Sequence, residues 1–479
     1  MRKITLCTEP FWTTLIDEQQ IDRTRSSAVL MASICVTLKF ASRLQVPHLW
    51  CSQVECWLPY SKTEVPVRVP DENLLGIIEA NQKPAAPNPQ EEIDHALDNP
   101  IGSPKIENLA KPGEKVCIVV DDKTRPTPSH LMVRPLLARL NNAGVKDEDI
   151  TVLFGCGTHL TMRLDEAPPL IGEDCAKCVK LLLHDAEAPD LVPIGETSRG
   201  TKVKVNKAFA EADLRILTGD VELHYYAGYG GGRKSVLPAI TDADSTQHNH
   251  AFLLDPGART GNLDGNPVHL DMVEAAHLTK VDFTINLVLN PQNEVVKAFA
   301  GDMDQVFQEG VKLVDEMYKV PVESAADIVV VSPGGHPTDI NLYQAYKGLD
   351  SALNIVKDGG VVILVAECPE GHGHKVFYDW MTKFKTVGDM RKEIRRRFIL
   401  GGHKAYYMMK ALERVKIILV SAMPDYYASK VFRLRTAKTA NVAMNMAFRM
   451  TNRKAKVLVL PHGATTLPVL SKTSEAKVT

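Results

Sequence analysis

Residues 214–238 read LRILTGDVELHYYAGYGGGRKSVLP, and this stretch decides how the chain folds. It opens with a short apolar run, Leu214–Leu217, of the kind that forms a strand buried on both faces. The run leads into a polar motif, Gly219 to Pro238, holding His224, a glycine-dense turn, and then Arg233, Lys234 and Ser235. Glycines at such a turn let the backbone approach a ligand closely. In α/β folds, ligands gather beyond the carboxyl ends of strands, so a strand that ends in such a turn marks both a fold class and a site.

The same arrangement recurs on either side. Short β-branched runs stand at Val116–Val120, Ile150–Phe154, Val179–Leu183 and Phe283–Leu289, and a second series at Ile328–Val331, Val361–Val365, Ile417–Val420 and Val457–Leu460. Helical patterns separate them, which predicts an α/β fold of two domains with largely parallel sheets and an interdomain active-site cleft. Met303 to Tyr318 is a helical pattern followed by Pro321, and the boundary is placed there. Residues 61–318 are then the N-terminal α/β domain and residues 319–479 the C-terminal one. Residues 1–60 are an extension without an assigned fold. Residues 82–113 are rich in proline and polar residues, with one helix expected near Glu91–Leu97.

Composition narrows the function classes. The 479 residues carry a net charge of −2, which gives no reason to invoke nucleic acid or an anionic membrane surface. No apolar run reaches the roughly 18 residues needed to span a bilayer. The apolar stretch Ala28 to Leu38 is preceded by Asp17, Glu18 and Asp22, unlike a secretory signal, and Met31 is an alternative start. Nine cysteines without a framework read as reduced thiols of a cytoplasmic protein, and the lone pair Cys175 and Cys178 as ordinary cysteines.

Four further motifs sit at strand ends. Asp121 to Pro128 reads DDKTRPTP; Arg125 offers a rigid fork for a carboxylate or phosphate, or else merely pairs with an Asp to fix the turn. Gly155 to His159 reads GCGTH, and His159 is a general base or a hydrogen-bonded bystander. Thr241 to His250 carries His248 and His250, the latter 16 residues after Lys234. Ser332 to Gly348 ends in Tyr343, Gln344 and Lys347, spaced to share one helix face and suited to a carboxylate or carbonyl oxygen. The glycine turn is not a Walker loop, because Arg233 stands where that pattern needs the Gly before its Lys. Lys234 on such a loop is either a nucleophile, if partly desolvated, or part of a solvated basic turn.

Taken together, in this order and spacing, the five motifs resemble the nickel-pincer lactate racemase family over residues 65 to 470. The resemblance implies a racemase or epimerase of a small 2-hydroxy acid. It implies that Lys234 binds a pyridinium thioamide/thiocarboxylate mononucleotide, the nickel-pincer nucleotide, and that His250 is the imidazole ligand of nickel. His159 and His224 match the two acid–base histidines. Arg125 and Lys347 match positive groups near the substrate, Tyr343 and Gln344 its neighbours, and Asp122 and Thr124 groups at the cofactor. Cofactor-synthesis enzymes are the implied partners. Two residues depart from the family pattern: Leu160 stands for an Arg and Gly230 for a Ser.

The chemistry explains the residue types. The hydrogen on a carbon flanked by hydroxyl and carboxylate is a poor acid, so removal as hydride avoids a carbanion and yields a 2-keto acid. A pyridinium-type cofactor accepts hydride. The hydroxyl proton leaves with it, and each enantiomer then needs its own base. Competing readings are a nicotinamide-dependent dehydrogenase, which lacks a G-x-G-x-x-G turn in context, a zinc hydrolase using His224, His248 and His250, and a non-catalytic sugar-acid or nucleotide binding protein.

Overall fold

The computed structural model of the protein describes residues 52–159 and 162–471. The segment Ala28 to Leu38 and Leu160 lie outside the described residues. The architecture is mixed α/β, built on two six-stranded sheets. In the first, the order is Val295–Gly301, Phe283–Leu289, Leu214–Asp220, Val116–Asp121, Ile150–Gly155 and Lys180–Leu183. Every pair in it is parallel except the antiparallel edge strand Val295–Gly301. Its central strands are buried on both faces, which is why they read as continuous apolar runs with no alternation.

The second sheet runs Arg435–Thr436, Lys416–Val420, Val356–Val365, Ala326–Val331, Val457–Leu460 and Leu74–Ile77, parallel throughout. Its last member lies far from the others in sequence. Leu74 pairs with Val457, so the described chain begins in the second sheet before crossing to the first. The hairpin before it, Gln53–Tyr60 with Thr63–Pro70, sends Cys56, Leu58, Val67 and Val69 into the core that holds Ile328, Val330 and Ile363. A division at residue 61 does not follow this path: residues 53–77 pack with the second sheet. The pairing partner of an edge strand is a long-range choice that local pattern does not encode.

The helix expected near Glu91–Leu97 spans Pro89–Asp98. Asn88 caps it, its side chain accepting from the Gln90 and Glu91 amides at 3.1 and 3.4 Å. Met303–Tyr318 forms one amphipathic helix, with Asp302 as N-cap. Phe307, Val311 and Val314 on it pack against Val221, Tyr229 and Val288 of the first half. Cys175 and Cys178 close a short helix as free thiols.

One apolar cluster crosses between the halves, joining Tyr226, Leu253 and Ala258 to Ala345, Tyr346 and Tyr406. Polar contacts cross there too: Thr260 Oγ1 donates to Asp350 Oδ2 at 3.0 Å, and Tyr407 Oη to the Leu253 carbonyl at 3.3 Å. The motif-bearing loops lie at the carboxyl ends of their strands, and the second half meets the loop after Leu214–Asp220, where Tyr225 Oη lies 2.6 Å from His403 Nε2.

Candidate active site

The Val116–Asp121 strand ends in a turn held by its own side chains. Asp122 Oδ1 accepts from the Thr124 amide at 2.8 Å and from its hydroxyl at 2.5 Å. The other oxygen, Oδ2, lies 3.0 Å from His159 Nδ1. Burial alone raises the Asp122 pKa, but the bonds from His159 and Thr124 outweigh it and hold the carboxyl below its ordinary range. An ionised Asp122 makes Nδ1 of His159 the donor, which leaves Nε2 with a free lone pair.

Arg125 is half-buried and makes no side-chain hydrogen bond among the described residues. Burial lowers its pKa, yet Glu222, Asp121, Asp220 and Asp122 together raise it, so its charge is secure. Beneath it, Thr127 Oγ1 sits 2.7 Å from Asp121 Oδ2 and also contacts Asp220. One hydroxyl has one hydrogen, so this bridge needs a proton on the carboxyl pair. Burial and the neighbouring Glu222 push both Asp220 and Asp121 above the ordinary carboxylate range, so the pair holds that proton.

The glycine loop is tied down from inside. Arg233, 1% exposed, donates to four carbonyls of the loop, those of Ala227, Tyr229, Gly230 and Gly231, at 2.9–3.2 Å. Its Nε reaches His269 Nδ1 at 3.1 Å and its plane covers the Phe307 ring at 4.1 Å. Gly231 has a φ of 78°, and a Cβ there would meet the Asp220 carbonyl oxygen at 2.8 Å. A Cβ on Gly230 would meet Glu222 Cγ at 2.9 Å, so the glycine leaves room for the Glu222 side chain.

Arg233 turns inward and Lys234 turns to the site. The Lys234 side chain makes no hydrogen bond or ion pair among the described residues. Burial, reinforced by Arg125, lowers its pKa to about 7, so much of the amine is neutral near physiological pH. His224 accepts the Ala227 amide at Nδ1, 3.2 Å, which places its proton on Nε2. Its pKa is held well below the usual value by burial and then by Lys234, Arg125 and His250. His250 is 6% exposed, and burial with the charges of Lys234 and His159 takes it down to about 3. Arg125, His159, His224, Lys234 and His250 thus lie within electrostatic reach of one another.

The orientation of His250 is set by a network. Its Nδ1 lies 3.2 Å from Asn249 Oδ1. Asn249 Nδ2 in turn donates to the Val268 carbonyl at 3.1 Å and Asp271 Oδ2 at 2.8 Å, so the amide oxygen faces the imidazole. Asp271 is fully buried and also accepts from Thr197 at 2.5 Å and Thr201 at 2.8 Å. Nδ1–H of His250 is thus committed, and Nε2 is left for a ligand. His248 is exposed, with Nε2 donating to the Arg199 carbonyl at 3.1 Å. Among the described residues no group of three or more His, Cys, Asp or Glu side chains could hold a metal ion, which the zinc reading needs.

From the second half, Leu342–Leu353 presents Tyr343, Gln344 and Lys347 after a cap by Asn341. Tyr343 is near the cluster, with its ring 6.5 Å from that of His403, which binds the Tyr225 hydroxyl. Gln344 and Lys347 make no side-chain hydrogen bond among the described residues, and Lys347 is exposed.

Known proteins are similar to this chain. The lactate racemase N-terminal domain family matches residues 60–261, and the lactate racemase C-terminal domain family residues 322–467. A lactate racemase of Thermoanaerobacterium thermosaccharolyticum is 33% identical over 419 residues, 86% of this chain and 98% of that protein. The chain belongs to the lactate racemase family.

This family is one of isomerases. A second lactate racemase, of Lactiplantibacillus plantarum, is 35% identical over 85% of this chain and 97% of its own length. The solved lactate racemase apoprotein of T. thermosaccharolyticum superposes with a TM-score of 0.80, covering 86% of this chain and 99% of that one. A Thermotoga maritima protein, 19% identical with a TM-score of 0.59 over 81% of this chain, shares the fold. Within this lactate racemase family chain, sequence reasoning missed the Arg233 clamp, the Asp271–Asn249 support and the rings beside His250 and His224, where Phe398 lies 5.0 Å from His250 and 5.4 Å from His403, and Tyr225 stacks on His224. A signal for Asp271 was present: an acid flanked by Leu270 and Met272, on the helix face that also carries Val268, Ala275 and Ala276.

Proposed function

We propose that this protein racemises or epimerises a small 2-hydroxy acid by proton-coupled hydride transfer, with a nickel-pincer nucleotide attached to Lys234. The observation that carries the reading is the juxtaposition of two neutral nitrogen donors. Lys234 offers an amine with a pKa of about 7, and beside it His250 offers an imidazole whose Nε2 is free and whose protonation is suppressed. The first suits covalent attachment to a nucleotide, the second ligation of nickel(II). The residues present therefore fit the group.

When bound, the group supplies an acceptor for the hydrogen that leaves the substrate carbon as hydride. The chain does the rest. His159, held by Asp122 at Nδ1, takes the hydroxyl proton at Nε2. His224, whose Nδ1 is engaged by the Ala227 amide, carries its hydrogen on Nε2 when neutral; once protonated on both nitrogens it gives the Nε2 proton to the keto-acid oxygen, and the Nε2 lone pair left behind serves the other enantiomer as base. Inversion in either direction requires one imidazolium to give a proton and one neutral imidazole to take one, and the two histidines are assigned as that pair. Arg125 and Lys347 hold the carboxylate and polarise the forming carbonyl, with Tyr343 and Gln344 beside them. Thr124 and Asp122 form the wall behind His159.

The reading includes cofactor-synthesis enzymes as partners and a cytoplasmic location, which the free thiols support. No helix among the described residues is long and apolar enough to cross a membrane. Purified from a host carrying the synthesis enzymes, the protein should racemise a 2-hydroxy acid and show added mass on the peptide containing Lys234. Full activity with no adduct there overturns the attachment. A loaded protein that racemises no 2-hydroxy acid overturns the function.

A further inference from the structure

Lys404 lies in the cluster between the halves, and the mechanism above leaves it unused. It stands on the helix Gly402–Arg414 and is 2% exposed. Its Nζ has no hydrogen-bond partner among the described residues. Three ring faces surround it: Tyr225 at 4.8 Å, Tyr346 at 4.9 Å and Tyr343 at 5.1 Å. Two of these belong to the site, since Tyr225 stacks on His224 at 4.9 Å and Tyr343 stands on the helix with Gln344 and Lys347. Lys404 therefore packs against two rings of the site from the side of the second half.

Its surroundings do not satisfy an ammonium. Ring faces recover only part of what desolvating a cation costs. The carboxyl whose charge reaches it, Asp350, forms no ion pair with it and is occupied by Thr260. Burial, with the like charge of Lys347 added, lowers the Lys404 pKa to about 7. Its neighbours share the deficit. Nδ1 of His403 and Nδ1 of His374 are also buried without partners among the described residues, and His374 stacks on Tyr343 at 5.0 Å. Three buried nitrogen groups around one tyrosine thus lack partners. The methyl of lactate would offer them nothing.

We infer that Lys404 binds an acidic group on the substrate side chain, and that the preferred substrate is a 2-hydroxy acid carrying a second carboxylate. The inference rests on the racemase reading above and extends it. Arg125 and Lys347 take the carboxylate next to the reacting carbon. Lys404, which holds its proton once a carboxylate lies beside it and then offers three rotatable donors, takes the distal one, with His403 and His374 as secondary contacts. A pocket built around a substrate polar group discriminates strongly against an analogue that lacks it, because its own buried groups are then left unpaired.

The test compares racemisation of malate, lactate and 2-hydroxybutyrate by the loaded enzyme, native and Lys404→Gln. For the native enzyme, kcat/KM for malate should exceed that for 2-hydroxybutyrate by about 10²-fold or more. In Lys404→Gln that ratio should shrink by roughly tenfold or more. Succinate should inhibit the native enzyme more strongly than butyrate does, a measurement that needs no variant to fold. A native enzyme that handles the monocarboxylates as well as malate overturns this inference and leaves the racemase reading standing. Turnover of none of the three overturns both. An unchanged ratio in folded Lys404→Gln removes Lys404 from the substrate contact.

Discussion

His159 Nδ1 lies 3.0 Å from Asp122 Oδ2, and this one bond decides which nitrogen of His159 can act as a base. The carboxylate is 4% exposed and held ionised by that bond and by Thr124. The imidazole is therefore fixed with its lone pair on Nε2. His224 is fixed the other way, by a backbone amide donating to its Nδ1.

Asp122→Asn should lower kcat by about 10–100-fold, the usual effect of losing the partner that orients a functional histidine. The substitution should also change stability with a defined sign. The Asp122 pKa is lowered on folding, so its contribution is present above the ordinary carboxylate range and is lost as pH falls through the lowered value. Urea midpoints of the native protein and the Asp122→Asn variant should converge on acidification. A gap that does not change with pH would show that the charge is not what holds the pair.

His159→Ala and His224→Ala should each reduce racemisation by about 10²–10⁴-fold. Each variant keeps one of the two groups, so each should still exchange hydrogen at the substrate carbon with one enantiomer. The two should prefer opposite enantiomers. Single-turnover reduction of the loaded enzyme with each pure enantiomer reads this directly, and a shared preference would make one histidine structural.

His250→Ala should sharply lower the nickel content of the loaded protein, whereas His248→Ala should not, because His248 is exposed and bonded to the Arg199 carbonyl. Asn249→Ala removes the group that commits Nδ1 of His250 and should weaken nickel binding by roughly 10–100-fold. Metal analysis after gel filtration separates these outcomes, and equal loss at His248 and His250 would reverse the assignment.

Arg233→Met should destabilise the first half of the chain by roughly 3 kcal/mol or more, since it strands several buried loop carbonyls. Thermal unfolding is the measurement. A variant as stable as the native protein would mean that the glycine loop reorganises to satisfy those carbonyls without the guanidinium.

Much of the fold was legible because its signals are local. A strand buried on both faces announces itself as a β-branched run, and Phe283–Leu289 and Val457–Leu460 have the predicted ends. Turn glycines, prolines and polar residues at the ends of such runs are equally local, so the loops carrying Asp122, His159, His224 and Lys234 could be named from residue order alone. Tertiary structure decided the matters that depend on which distant group becomes a neighbour. Leu74 pairs with Val457 across most of the chain, and no periodicity within either segment names the other. Arg233 and Lys234 are adjacent and alike in charge, yet one is buried against five acceptors and the other faces the site, a difference set by the φ of 78° and 51° at the two preceding glycines. Lys404 reads in sequence as an ordinary helix lysine; only the meeting of the two halves, which brings Tyr225 over it from far earlier in the chain, removes it from water and leaves it without a partner. Residue order records which groups are apolar or charged, while the free energy of a charge depends on what surrounds it, and that is set by packing.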